Sequence, residues 1–227
     1  MGHSDRLRSP SLRTRLKYWH KQMSQLESSF PALDMASRQT TTPDEIVEQS
    51  KVICQDFIHE KLKAAGILSS KVKLNCAEKS HVSLTVIAVG QELVKLHPKV
   101  YRDLSRKLNM TMNSATLVDK TLTQVLEQLL GEGEITWAKV ISMFALAGQF
   151  AVECVQQGHP EFVEVIVDSI GHFVSAYLTD WVISQRGWVG VLHAFRSKPE
   201  SYAFRALTIL ATVVGLLATF VATVRIR

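Results

Sequence analysis

The sequence predicts an all-α protein, a bundle of seven or eight helices wrapped on one buried helix and followed by a C-terminal transmembrane helix. Apolar residues recur at helical spacing in several segments, and we find no convincing strand pattern of alternating polar and apolar residues. The segment 135–157 is apolar on every side, since no charged residue lies between Lys139 and Glu153. Such a helix is typical of the centre of a bundle, where other helices cover it.

The helical domain, 42–200, begins with a strong helix start signal. In Thr42-Pro43-Asp44-Glu45 the Thr is an N-cap, the Pro takes the first helical position, and the Glu closes a capping box. Apolar residues then recur at helical spacing until Gly66 ends the helix. These residues are Val47, Cys54, Ile58, Leu62 and Ala65.

Further helices follow a polar linker at 69–80. Pro98 closes one predicted helix over 81–97, since a proline cannot continue it. Asn113 or Ser114 caps another, which extends to the glycine-rich break at 131–133. The remaining predicted helices are 100–108, 135–157, 161–177 and short ones around Trp181 and Trp188.

The C-terminal segment predicts a membrane span at 205–225. Its nineteen uncharged residues, Ala206 to Val224, nearly match a hydrocarbon core of about 30 Å at about 1.5 Å per residue. A buried core helix is the alternative, but such a helix would normally continue into polar chain. We therefore expect a tail anchor in the mitochondrial outer membrane or the endoplasmic reticulum, with the helical domain on the cytosolic side. The residues assigned to this anchor are Ala206, Leu210, Gly215, Leu217, Phe220 and Val224.

Most of the positive charge lies before the helical domain. Residues 1–40 contain seven Lys or Arg and three Asp or Glu, a net charge of +4 out of +5 for the whole chain. The rest of the chain carries only +1, which argues against a nucleic-acid partner. The basic leader, 1–41, is typical of a solvated disordered arm, a mitochondrial presequence or a membrane-surface arm.

The sequence carries no enzyme signature. Its eight histidines do not cluster, and it has neither a glycine-rich phosphate loop nor a nucleophile elbow. The three cysteines, Cys54, Cys76 and Cys154, are scattered without metal-ligand spacing, which suits a reducing compartment. We therefore predict no catalytic residues, no metal and no cofactor, and favour an interaction or membrane-acting protein.

Three segments together carry the functional information. The first is an apolar stripe on one helix with two small or polar neighbours: Val82, Val86, Val89 and Leu93, beside Gly90 and Gln91. The second opens the central helix and contains Thr136, Trp137 and Lys139. The third opens a late helix with Gly187 and Trp188. Each segment alone is also compatible with an ordinary core packing role.

The order of these segments resembles the Bcl-2 family of apoptosis regulators. The stripe resembles the third homology region of that family, Thr136 to Lys139 the first, Gly187-Trp188 the second, and the helix from Thr42 the fourth. The uncharged tail resembles the C-terminal anchor of the family. Similarity to the Bok branch is carried by Asp56 to His59, Pro98 to Arg102 and Ile135 to Val140.

The resemblance implies eight or nine helices around a hydrophobic central hairpin. It also implies a groove between the stripe helix and the start of the central helix, which accepts an amphipathic helix from another member. The stripe residues would be the anchors that this protein presents to a partner. Lys139 would lie at the groove mouth and Trp188 at the groove floor, although a core role is equally open for Trp137 and Trp188.

Two residues depart from the family pattern. The family usually has Asp after the glycine of the third region, where this chain has Gln91, and Arg in the first region, where it has Lys139. In the family this Asp and Arg pair across the interface, and such a contact is worth about 1.5–3 kcal/mol. Since Gln is uncharged and Lys cannot form the bidentate fork, we predict groove binding weakened by roughly ten- to hundred-fold.

These features together predict a Bok-like pro-apoptotic effector. Its partners would be other family members or itself, and a lipid membrane, where it would self-associate and permeabilise the mitochondrial outer membrane. A face of small residues in the tail would favour a homo-oligomer: Thr208, Ala211, Thr212, Gly215, Thr219 and Ala222. Two alternatives remain open, a prosurvival protein that sequesters pro-death helices and a tail-anchored scaffold or adaptor.

Overall fold

The described part of the chain is a bundle of α-helices. The computed structural model describes residues 42–74, 78–96, 113–131 and 133–195. Seven helices lie in these ranges, which confirms the all-α prediction: α1 (Pro43–Ala64), α2 (His81–Leu96), α3 (Ala115–Gly131), α4 (Trp137–Gln156), α5 (Phe162–Tyr177), α6 (Thr179–Ser184) and α7 (Gly190–Ala194). The leader, the predicted helix at 100–108 and the tail anchor lie outside the described residues.

Helix α4 is the centre of the bundle, as its apolar sequence predicts. Every residue from 141 to 150 is buried, and α1, α2, α3 and α5 all pack against this helix. Helix α5 returns beside α4 after the turn at 157–161, so the two form the expected central hairpin. Within the described ranges, α4 alone is long and apolar enough to cross a membrane, and 83% of that stretch is buried inside the bundle.

Side-chain caps define where the helices begin. The predicted capping box of α1 is present: the Glu45 backbone N–H donates to Thr42 Oγ1 at 3.3 Å, and the Thr42 N–H donates to Glu45 Oε2 at 2.9 Å. Ser80 caps α2 by accepting from the N–H three residues later at 3.1 Å. Of the two candidate caps for α3, the residue that acts is Ser114, which accepts from the Leu117 N–H at 3.2 Å.

Polar contacts hold α5 in place between α1 and α3. The Ser169 hydroxyl donates to Asp119 Oδ1 on α3 at 2.6 Å, and Lys51 Nζ on α1 lies 3.1 Å from Asp168 Oδ1. The Lys51 side chain also lies directly on Gly171, where a Cβ would collide with it. The hairpin partner of α4 is therefore fixed on both sides, and α4 is enclosed.

Candidate partner-binding site on α2 and the start of α4

The predicted stripe on α2 lies against the core of its own domain. Val86 and Leu93 are buried, and Val82 and Val89 are half-buried against the core. Helix α2 packs on α1, α4 and α7, while its opposite side carries Leu84, which is 43% exposed. In this structure the stripe stabilises the closed domain. Its predicted role as a set of partner anchors therefore requires α2 to leave this position.

Gly90 and Gln91 lie beside the stripe rather than on it. A Cβ placed on Gly90 would be 2.5 Å from Phe57 Cε2 and 3.3 Å from Ile141 Cγ2. A glycine is therefore what allows α2 to approach α1 and α4 so closely. Gln91 is half-buried, and the position where the family has an acid carries no charge in this chain.

The first turn of α4 is capped and covered. Thr136 Oγ1 accepts from the Lys139 backbone N–H at 3.4 Å, and the Trp137 side chain is buried. The position of Lys139 at a groove mouth stays a prediction, and in the closed domain this side chain is only 6% exposed. The physical reason is that α4 enters the bundle at once, so that Val140 and the nine residues after it are already covered.

The turn between α6 and α7 carries Trp188 into the interior. Arg186 and Gly187 both have φ near +69°, and the Gly187 N–H donates to the Val182 carbonyl at 2.9 Å. Two residues in the left-handed region reverse the chain within a short span, which glycine permits most easily. Trp188 is consequently 2% exposed, and its Nε1–H donates to the Ile46 carbonyl of α1 at 2.9 Å.

The structure brings Trp137 of the second segment and Trp188 of the third segment together. The ring centroid of Trp137 lies 5.9 Å from that of Trp188 and 4.9 Å from that of Trp181, while Phe144 lies 5.7 Å from Trp188. These four rings form an aromatic cluster that joins the start of α4 to the α6–α7 turn. Trp137 and Trp188 thus pack as core residues in the closed domain, one of the two roles that the sequence left open.

Two residues of this region escaped the sequence analysis. A Cβ on Gly190 would collide with the Gln185 carbonyl oxygen and would lie 2.9 Å from Trp137 Cζ2, so Gly190 is required by close packing. Phe57 contacts both Gly90 and Gly148, a glycine of α4. The spacing Gly187-x-x-Gly190 was a visible signal for the first residue. Nothing along the chain linked Phe57 to two glycines far away in sequence.

The cysteines that the structure describes are buried in the core. Cys54 and Cys154 are buried free thiols, and burial raises the pKa of Cys54, so this thiol stays protonated at neutral pH. Among the residues that the structure describes, no group of three or more His, Cys, Asp or Glu side chains could hold a metal ion. The features that stand out are α2, its glycine and the aromatic cluster.

Comparison of the sequence with known families gives a specific match. The family model for "Apoptosis regulator proteins, Bcl-2 family" matches residues 86–188, which include Val86, Val89 and Leu93 of the stripe, the first turn of α4 and Trp188. The Bcl-2-related ovarian killer protein homolog B of Danio rerio is 38% identical over 157 residues, covering 67% of this chain and 74% of the relative. The Homo sapiens Bcl-2-related ovarian killer protein is 32% identical over 154 residues, which cover 66% of this chain and 72% of that relative.

Solved structures agree with the sequence comparison. The crystal structure of chicken BOK has a TM-score of 0.61 at 36% identity and covers 67% of this chain and 97% of that chain. Trichoplax adhaerens trBcl-2L2, solved bound to trBak BH3, has a TM-score of 0.59 at 23% identity and covers 68% of this chain and 99% of that chain. At this identity the likeness shows the fold alone. The chain belongs to the Bcl-2 family of apoptosis regulators, and within that family it is similar to the Bok proteins.

Proposed function

We propose that this protein is a Bok-like pro-apoptotic effector, which self-associates on the mitochondrial outer membrane and permeabilises it. The observation that carries the proposal is the central position of α4. This helix is long and apolar enough to cross a membrane, yet it is covered on all sides in the closed domain. Similarity to several Bok proteins supports the same choice.

The closed domain links exposure of the stripe to exposure of α4. Ile141 of α4 lies under α2, next to Gly90, and the stripe residues pack against the same core. Movement of α2 away from α4 would therefore present the stripe to a partner and uncover one side of the central helix in one event. This coupling is what an effector needs, because partner binding and membrane insertion then follow the same opening.

A helix-in-groove contact would be the mode of partner binding. The Trichoplax trBcl-2L2 structure holds the BH3 segment of trBak, and a zebrafish prosurvival protein, NRZ, is solved with the Bad BH3 segment. We infer that α2 of this chain binds other members, or a second copy, in the same way. Gln91 and Lys139 would make this contact weak, because neither supplies its half of an Asp–Arg pair.

The substitution Gln91→Asp tests the mode of binding. Gln91 is half-buried and Asp is one methylene shorter, so the closed fold should tolerate the replacement. A peptide of residues 81–96 with Asp at this position should bind trBcl-2L2 roughly ten- to hundred-fold more tightly than the unchanged peptide. Gln91→Asn is the control, since it shortens the side chain without adding charge. Equal affinity of the Asp and Gln peptides would refute the helix-in-groove account of this position.

Release of vesicle contents tests the effector activity itself. The full chain would be added to dye-filled vesicles of mitochondrial outer-membrane lipid composition, with no partner present. We expect dose-dependent release from an autonomous effector. No release, together with blockade of another effector's release, would make this chain a prosurvival protein instead. A chain that does neither would fit a tail-anchored adaptor.

We infer that residues 205–225 anchor the protein in the membrane and that the helical domain faces the cytosol. Support comes from the uncharged stretch between Arg205 and Arg225. In cells, the full chain should resist carbonate extraction, and a chain that ends at residue 204 should be extracted. Equal extraction would exclude the anchor.

The small residues of the anchor are a separate matter. If they bring two anchors together, Gly215→Leu should reduce the yield of crosslinked dimers.

A further inference from the structure

Phe57 of α1 fills a space bounded by two glycines from different helices. A Cβ on Gly90 of α2 would lie 2.5 Å from Phe57 Cε2 and 2.9 Å from Cζ. A Cβ on Gly148 of α4 would lie 3.1 Å from Phe57 Cδ1 and from Cε1. The ring is 2% exposed, so it is enclosed on the remaining sides as well. The phenyl ring therefore fits closely between α2 and α4.

The position of Gly90 on α2 gives this contact its significance. Gly90 lies about 80° around the helix from Val82, so it faces α1 while the stripe lies on the adjoining face. A partner that takes the stripe needs α2 to separate from α1, and the contact between Phe57 and Gly90 must then break. The side chain of α1 that meets this glycine thus opposes presentation of the stripe.

We propose that Phe57, held between Gly90 and Gly148, keeps α2 on the bundle and sets how readily the stripe reaches a partner. We call this contact the catch. The inference rests on the proposed function for the identity of the partner, but the catch itself is a property of the closed domain. Phe57 lies on α1, the helix that resembles the fourth homology region, and outside the stripe, the first turn of α4 and the Gly187-Trp188 turn.

The substitution Gly90→Ala separates the catch from ordinary helix stability. Alanine is more favourable than glycine in a helix interior. If Phe57 were absent, Gly90→Ala would therefore reduce the opening of α2 by about fivefold. With the ring present, the added methyl meets Phe57 too closely, and Gly148 prevents the ring from moving away. Overpacking of this kind should increase the opening of α2 by about 5- to 150-fold. Helix propensity alone therefore predicts less opening of α2 in Gly90→Ala, whereas overpacking against Phe57 predicts more opening.

Hydrogen exchange of α2 backbone amides in the full chain, held in mild detergent, measures this opening. Four proteins would be compared with wild type: Gly90→Ala, Phe57→Leu, the double variant, and Gly131→Ala. Gly131 is the matched control, because a Cβ there meets nothing within 4 Å. We expect faster α2 exchange in Gly90→Ala, no such change in Gly131→Ala, and slower exchange in the double variant than in Gly90→Ala, since Leu leaves room for the methyl.

Binding to trBcl-2L2 connects the catch to the partner. The full chain with Gly90→Ala should bind this protein more tightly than the wild-type chain. The peptide of residues 81–96 lacks Phe57, so the same substitution should not tighten its binding. The proposal would be overturned if α2 exchange in Gly90→Ala were slower than or equal to that of wild type. It would also be overturned if the effects of Gly90→Ala and Phe57→Leu on α2 exchange simply added in the double variant. If Gly90→Ala does not fold, restoration of folding by Phe57→Leu supports the catch, and failure of restoration overturns it. If no peptide binds trBcl-2L2, the proposed partner mode fails while the exchange result still decides the catch.

Discussion

The indole of Trp188 provides the sharpest test of how the α6–α7 turn is held to the bundle. Its Nε1–H donates to the Ile46 carbonyl of α1 at 2.9 Å, and its ring packs between Phe144 and Trp137. The substitution Trp188→Phe keeps an aromatic ring but removes this donor and part of the buried surface. We expect the domain to lose stability because the first turn of α1 is no longer tied to the turn before α7.

The magnitude follows from two contributions. Loss of one buried hydrogen bond costs about 0.5–1.5 kcal/mol, and two buried ring carbons contribute about 0.8 kcal/mol each. The free energy of unfolding should therefore fall by about 2–3 kcal/mol. Equilibrium urea unfolding of the full chain in mild detergent, followed by far-UV circular dichroism, measures the change without depending on tryptophan fluorescence.

Trp181→Phe is the matched control for this prediction. Trp181 belongs to the same aromatic cluster, with its ring 4.9 Å from that of Trp137, but it is only half-buried. The same loss of ring atoms should cost about 1 kcal/mol or less at this position. If the two substitutions destabilise the protein equally, within about 0.5 kcal/mol, neither the hydrogen bond nor the deeper burial of Trp188 matters as argued.

Three further predictions concern other contacts. Thr42→Ala removes the α1 capping box and should lower the free energy of unfolding by about 1 kcal/mol in the same urea assay, whereas an unchanged midpoint would contradict the cap. Gly190→Ala places a Cβ on a backbone carbonyl that cannot move, so it should cost about 1–3 kcal/mol, unlike the control Gly131→Ala. Burial raises the pKa of Glu60, but the hydrogen bond and charge of Lys79 outweigh it, so the pKa lies below its ordinary value. This stabilisation is present at a pH above the ordinary pKa and is lost as the pH falls through the lowered pKa. The difference in free energy of unfolding between wild type and Glu60→Gln should therefore shrink as the pH falls through that window, and a constant difference would refute the reasoning.

Local signals along the chain predicted the elements well. Thr42, Pro43 and Glu45 marked the start of α1 because a capping box involves only residues within one turn. The uncharged run after Lys139 marked α4 as the central helix, and its observed range, Trp137–Gln156, lies within the predicted 135–157. These predictions succeeded because each depends on residues that are close in sequence, where spacing alone decides the geometry.

Contacts between distant segments required the tertiary structure. The bond from Trp188 to the Ile46 carbonyl joins residues 142 positions apart, and no pattern in the sequence pairs them. Only the structure shows that Lys139, which was expected at a groove mouth, is buried in the closed domain, since its helix enters the core from its first turn. Phe57 reads as one more apolar residue of α1 until the glycines on either side of it are seen.

The sequence by itself determined the helices, the apolar centre and the residue types that resemble a partner-binding segment. Periodicity identifies which residues share a face, because the helix geometry is the same in every fold. What covers each face was decided by the packing of α1, α2 and α4. The stripe on α2 is therefore recognisable from spacing, whereas its burial and the fit of Phe57 between Gly90 and Gly148 depend on which helices meet in three dimensions.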